Sequence, residues 1–170
     1  MPNRPVIYWD TCVFLAWIKD EKRRHEGEMA GVYAVSMEVF KKRLILMTSV
    51  VTKAEIQQAS LTPEQLERFN KIFDLSNIRA VEVSEGVATK AGQLRHYYKS
   101  IGDGKPGLCK DDSYHLATAI IYKVAAFHTF DRADKKNCRG LLGLNGDVAG
   151  YPLRIVKPQT AQGSLDLRAP

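Results

Sequence analysis

The chain has no run of apolar residues long enough to span a bilayer, which takes about 18–20 in succession. Its opening, Met1-Pro2-Asn3-Arg4-Pro5, lacks the apolar stretch of a signal peptide, and Trp9 and Asp10 interrupt the run that follows. A soluble, cytoplasmic protein with no membrane partner is therefore expected. Cysteine is scarce. Cys12, Cys109 and Cys138 are widely spaced and form no C-x-x-C pair. That argues against a zinc ribbon and leaves reduced, partly buried thiols as the expectation. The four histidines (His25, His96, His115, His128) show no H-x-x-x-H spacing. No internal repeat and no composition break mark a second domain. With 170 residues and 45% hydrophobic content, the expectation is one domain over residues 1–157 and a polar C-terminal tail over 158–170.

What the chain does have is positive charge, a net +6. A basic surface around an acidic cleft suits a polyanionic substrate such as nucleic acid. A generically basic, solvated surface gives the same total, so charge alone does not choose.

Short β-favouring runs alternate with helical segments. Val6 to Trp9 reads as a first strand and Phe14 to Ile18 as a helical turn. Glu28 to Lys42 carries apolar residues at helical spacing, after a charged stretch (Lys19 to Glu28) read as loop or frayed helix. Leu44 to Val51 is a second strand. Thr52 is a plausible cap for the next helix, completing a capping box with Glu55. Thr62-Pro63 opens another helix, with proline at its first position. Ile78 to Val83 is a third strand, and Ser84 caps a helix through Tyr98. Ile101 to Gly107 is a glycine-rich loop flanked by Lys105 and Lys110. Asp111 and Asp112 begin a helix through Val124. Ala125 to Phe130 is a fourth strand, Ala133 to Leu142 a short helix or irregular turn, and Leu153 to Val156 a fifth strand. This order predicts an α/β fold with a largely parallel sheet covered on both faces.

Four acids stand where strand gives way to helix: Asp10, Glu55, Asp112 and Asp131. Open α/β sheets bind ligands beyond the carboxyl ends of their strands. Each acid has a bland explanation as a cap or a helix-dipole partner, worth roughly 0.3–1 kcal/mol. Capping does not explain four acids at one sheet edge. Carboxylates gathered there call for a hard, oxygen-seeking cation such as Mg²⁺ or Mn²⁺. Arg132, Lys135, Lys136 and Arg139 follow Asp131 directly and are candidates to hold substrate phosphates, against the alternative of a solvated basic turn. Lys53 is a weaker candidate. His115, one turn after Asp112, is expected in the core or partly exposed rather than facing the cleft. Trp17, Tyr33 and Phe40 are expected to pack in the core or against a partner.

These residues resemble a known family. Val6-Ile7-Tyr8-Trp9-Asp10-Thr11 resembles the opening strand of PIN domains. Val50-Val51-Thr52-Lys53-Ala54-Glu55 resembles their second motif. Asp112-Ser113-Tyr114-His115-Leu116-Ala117-Thr118-Ala119 is similar to the D-A-x-x-L-A-T-A helix start of PIN proteins, VapC-type toxins included. Phe127-His128-Thr129-Phe130-Asp131 resembles the T-x-D that ends strand four. The four occur in family order across residues 5 to 157. Serine replaces the usual alanine at position 113, and the chain is longer than compact VapC-type toxins.

The resemblance implies a PIN-like three-layer sandwich: a central, mostly parallel sheet of four to five strands flanked by helices. It implies an endoribonuclease dependent on Mg²⁺ or Mn²⁺, hydrolysing RNA with metal-activated water to leave a 5′-phosphate and a 3′-hydroxyl. The toxin of a type II toxin–antitoxin pair is the expected role. Asp10, Glu55, Asp112 and Asp131 carry over as catalytic, metal-binding acids. Thr11 and Thr129 carry over as hydroxyls that orient them, and Asp134 as an extra acid. The implied partners are RNA, an antitoxin docking on exposed parts of residues 14 to 43, and a second copy in a homodimer. The alternative is a non-catalytic PIN scaffold that binds RNA or protein. A haloacid-dehalogenase-like phosphatase needs a second acid two residues after Asp10, where Cys12 stands. A receiver-like phosphoacceptor leaves the Asp112 motif unexplained.

Overall fold

The computed structural model describes residues 4–21, 26–133 and 135–160, with only the backbone of Glu26. Five parallel strands form one sheet in the order β3-β2-β1-β4-β5. They are β1 (Val6–Trp9), β2 (Ile45–Ser49), β3 (Ile78–Val81), β4 (Ala126–His128) and β5 (Ile155–Val156). Among the described residues the α-helices are α1 (Thr11–Lys19), α2 (Glu26–Phe40), α3 (Val50–Gln58), α4 (Pro63–Lys71), α5 (Glu85–Ser100) and α6 (Lys110–Ile121). The expected three-layer α/β architecture is present, and every strand pairing is parallel.

The side-chain alternation of the strands divides the core in two. Ile7, Trp9, Leu46 and Ala126 face a cluster built with α1 to α4, including Phe14, Val32, Ile56 and Phe69. Tyr8, Met47, Phe127 and Ile155 face the other cluster, with Leu94 of α5 and Leu116 of α6. Both sheet faces are covered, so the strands read as nearly continuous apolar runs rather than alternating ones. Aromatic packing anchors the layers. Tyr8 stacks on Phe127 at 4.9 Å, and Trp9 meets Phe14 and Trp17 edge-on at 5.3 and 5.4 Å. Tyr8, Trp9, Phe14 and Phe127 are fully buried and each contributes roughly 1.5–3 kcal/mol, while Trp17 is half-buried.

The sheet order reverses at β1. Chain order runs outward through β2 and β3 on one side and through β4 and β5 on the other. The crevice between the carboxyl ends of β1 and β4 is therefore the topological switch point, where α/β sheets place ligands. The pairing of β1 with β4 (Trp9 opposite His128) brings Asp10 and the Thr129–Asp131 turn together.

Several boundaries differ from those the sequence suggests. Helix α3 begins at Val50, capped by Ser49, whose hydroxyl accepts from the Val51 amide at 3.2 Å. Thr52 is not a cap, because it already lies inside α3, fully buried. Glu55 is thereby free of the expected capping box. The capping box that forms is Thr62 with Gln65, at the start of α4. Ser84 caps α5 as expected. The loop after α5 turns at Gly102 and Gly104, both with positive φ (66° and 72°) that only glycine adopts without strain.

The thiols also differ. Cys109 and Cys138 form a disulfide across 29 residues. The loop after β4 folds back over the start of α6 and brings their Cα atoms to 5.5 Å. Cys12 is the free cysteine. Among the described residues no helix is long and apolar enough to cross a membrane. Of the polar tail, Pro158 to Thr160 are described, and Pro158 lies so close to α2 that a Cβ at Gly31 would collide with its carbonyl. Residues 161–170 lie outside the described residues, as do Asp134 and residues 22–25 of the charged stretch.

Candidate active site

Asp10 sits at the end of β1 as the N-cap of α1. One carboxylate oxygen accepts from the Thr11 amide at 2.7 Å; the other accepts from the Thr129 hydroxyl at 2.7 Å. The Cys12 thiol lies 3.3 Å from that second oxygen. The cap that sequence alone allows is real, yet it uses only one face of the carboxylate. Thr129 also accepts from the Asp131 amide at 2.9 Å, so one hydroxyl ties both strand-end acids together.

Glu55 projects from the second turn of α3. Its Oε2 accepts from the Thr11 hydroxyl and lies 2.8 Å from His115 Nε2. Burial would raise the Glu55 pKa, but the His115 hydrogen bond and charge, with the Thr11 hydroxyl, bring it below its ordinary value. Thr52, Thr48 and Thr11 form a buried hydroxyl cluster behind it, with Thr48 donating to the Trp9 carbonyl at 2.9 Å.

His115 is fully buried, as expected, but it also reaches the site. Its Nδ1 lies 2.7 Å from the Tyr8 hydroxyl, which accepts from the Ser49 amide at 2.9 Å. Its Nε2 is shared between Glu55 at 2.8 Å and Asp10 at 3.7 Å. Burial lowers the imidazole pKa, yet the surrounding carboxylates more than reverse this and raise it overall. Asp10, Glu55 and His115 offer ligand atoms within 4.8 Å of one another. Both ring nitrogens are already engaged, however, so His115 is better placed to fix Glu55 than to bind a cation itself. Its i+3 spacing from Asp112 puts both on one helix face, and leaves open the cleft-facing position that sequence alone ranks below a core one.

Asp112 lies in the first turn of α6. Its Oδ2 is buried and has no hydrogen-bond partner among the described residues. Burial first, then the nearby Asp10 charge, pushes its pKa up to about 6. Asp131 accepts from the Leu141 amide at 2.9 Å. Lys135 bridges the two, 2.9 Å from Asp131 and 3.7 Å from Asp112.

All four acids therefore line one open cleft, together with Thr11, Cys12, Asp111 and Lys135. Asp111 is at its exposed edge. Of the basic candidates, Lys135 is inside the cleft as a counter-ion, and Arg132 and Lys136 are exposed beside it. Arg139 is a correction. It is buried, pairs with both oxygens of Asp103 at 2.8 Å, donates to the Pro106 carbonyl and covers the Tyr98 ring. It holds the glycine-rich loop and has no donor pair left for a phosphate. Lys53 likewise lies over the Phe73 ring at 4.6 Å.

The family model for the PIN domain matches residues 7–138. The chain belongs to the PIN-domain family. No curated protein matches it. Solved structures with this fold include VapBC2 from Rickettsia felis bound to a promoter DNA fragment, with a TM-score of 0.60 at 16% identity, covering 88% of this chain and 98% of that one. A toxin–antitoxin complex from Klebsiella pneumoniae has a TM-score of 0.53 at 20% identity, covering 86% and 99%. VapC20 from Mycobacterium tuberculosis, a toxin that cleaves the sarcin–ricin loop, has a TM-score of 0.53 at 14% identity, covering 75% and 91%. At these identities the likeness is one of fold.

Proposed function

We propose that this PIN protein is an endoribonuclease dependent on a divalent cation, and the toxin of a toxin–antitoxin pair. The observation that carries the reading is the Asp112 carboxylate. Its buried Oδ2 accepts no hydrogen bond among the described residues and faces Asp10 and Asp131, with Lys135 3.7 Å away as its counter-charge, and a buried carboxylate held only so loosely is costly. Four carboxylates around one cleft, with oxygen the dominant donor, fit Mg²⁺ or Mn²⁺. Asp10, Glu55, Asp112 and Asp131 would hold the ion. When bound, it would lower the pKa of a water and neutralise charge building on the scissile phosphate.

The residues of the chain do the positioning. Thr11 and Thr129 fix the Asp10 carboxylate by two hydrogen bonds, and His115 fixes Glu55. Lys135 supplies the counter-charge while the cation is absent and is the cleft's own cation for a substrate phosphate. Lys136 and Arg132 extend that positive charge outward.

For the partner, α2 presents Tyr33, Met37 and Phe40, which are 41%, 51% and 51% exposed. Their spacing puts them on one helix face. An apolar stripe of this kind suits the apolar face of an antitoxin segment, and the fold neighbours are toxin–antitoxin complexes. A homodimer is compatible with the same proposal.

The test is cleavage of a cellular RNA pool in Mg²⁺ or Mn²⁺ by wild type and by Asp112→Asn. The reading expects cleavage that chelator and the substitution both abolish. Equal cleavage by both proteins would sink this site assignment, and no cleavage by either would favour the scaffold.

A further inference from the structure

On the sheet face covered by α2 lies a second cavity of about 320 Å³. It shares no lining residue with the acidic cleft. Its floor is Ile7, Ala126 and Val156, and its walls are Val35, Met37 and Leu44. Cavities of a few hundred Å³ with apolar walls and a few polar groups are the usual form of small-ligand sites.

Five polar side chains also line it: Glu38, Arg43, His128, Arg154 and Gln159. Arg43 is already paired with Glu38 at 3.2 Å. Arg154 is half-buried, and its guanidinium has no ion-pair or hydrogen-bond partner among the described residues. His128 is 7% exposed, and its Nδ1 accepts from the Trp9 indole at 3.2 Å. A neutral imidazole that accepts at Nδ1 carries its proton on Nε2. That N–H is left without a protein acceptor among the described residues. One guanidinium and one N–H without protein acceptors among the described residues, in a mostly apolar chamber whose other charges, Arg43 and Glu38, neutralise each other, are two donors in need of an anion.

We propose that this cavity is a binding site for a small amphipathic carboxylate, its carboxylate held by Arg154 and His128 and its apolar body seated on Ile7, Ala126 and Val156. Guanidinium–carboxylate hydrogen bonds are charge-assisted and directional, and the apolar walls exclude a purely polar anion such as phosphate. The volume suits a chain or ring of roughly six to ten carbons. The site also adjoins the catalytic strands: Trp9 precedes Asp10, and His128 precedes Thr129.

The probe is octanoate, titrated into the full chain by calorimetry, with octanol as the uncharged control. The Trp9 indole N–H resonance is followed in parallel. The expected result is saturable octanoate binding that shifts this resonance, with octanol at least about tenfold weaker, the difference a charge-assisted hydrogen bond makes. Arg154→Gln should lose a similar factor, and Ala34→Phe, which fills the chamber from α2, should abolish binding. Absence of saturable binding would overturn the proposal. So would octanol binding as tightly as octanoate, or octanoate binding that ignores both substitutions. Neither readout depends on RNA cleavage, so the proposal stands or falls apart from the nuclease reading.

Discussion

Asp112→Asn should make the cation-free protein more stable, although it removes a candidate catalytic acid. The Asp112 pKa in the fold is about 6, against an ordinary 3.8. A raised carboxylate pKa means that the folded state binds the proton more tightly than the unfolded state. Stability from this group is therefore full below the ordinary value and is lost as pH rises through the folded one. The shift of about two units corresponds to roughly 2–3 kcal/mol at pH 7.5, at 1.36 kcal/mol per unit. Asparagine carries no charge and escapes that cost. In chelator at pH 7.5, urea denaturation should show the variant more stable by about 2–3 kcal/mol, or roughly 5–10 °C in Tm for a domain of this size. At pH 4 most of the difference should vanish. A variant that is less stable than wild type at pH 7.5, or one whose advantage is the same at both pH values, would refute the reasoning about Asp112.

Other expectations follow from neighbouring contacts. Tyr8→Phe removes the hydroxyl shared by the Ser49 amide and His115, leaving buried groups unpaired, and should cost about 1–3 kcal/mol in urea denaturation. Lys135→Met leaves Asp112 and Asp131 facing each other unscreened. It should lower stability in chelator by about 1 kcal/mol, with the loss shrinking when Mn²⁺ is added. Cys109→Ser opens the 29-residue link and should cost about 2–4 kcal/mol under oxidising conditions but little in excess dithiol. Arg139→Ala should lower Tm by freeing the glycine-rich loop, yet leave the salt dependence of RNA binding unchanged, because its guanidinium serves Asp103.

The sheet and its order of elements were legible because strands buried on both faces leave long apolar runs between turn signals. The acids were legible for a related reason: Asp10 and Asp131 follow strand ends, Asp112 opens α6 and Glu55 lies in the second turn of α3, and parallel strands end at one edge. What escaped was set by contacts between distant segments. Ser49 rather than Thr52 caps α3, because the strand stops two residues sooner than the expected end at Val51. The Cys109–Cys138 bond depends on the path of an irregular loop, which spacing does not report. Arg139 sits in a basic run that reads as a phosphate grip, and only the fold of the Gly102–Gly107 loop brings Asp103 beneath it. His115 looked like a core residue, and it is one; its second role appears only once Glu55 is seen on the neighbouring helix. The Arg154–His128 pairing left no trace at all, since the two lie on adjacent strands or their approaches, 26 positions apart in number.

The central claim is that the four acids form a cation site governed by Asp112, and Mn²⁺ calorimetry at pH 6 tests it most directly. Runs in buffers of different ionisation enthalpy count the protons released. With the Asp112 pKa near 6, binding should release roughly half a proton per ion, because the ligand must be deprotonated. Asp112→Asn should bind more weakly and release almost none. If wild type takes up no Mn²⁺, or if the variant binds as tightly with the same proton release, the acidic cluster is not the cation site described here.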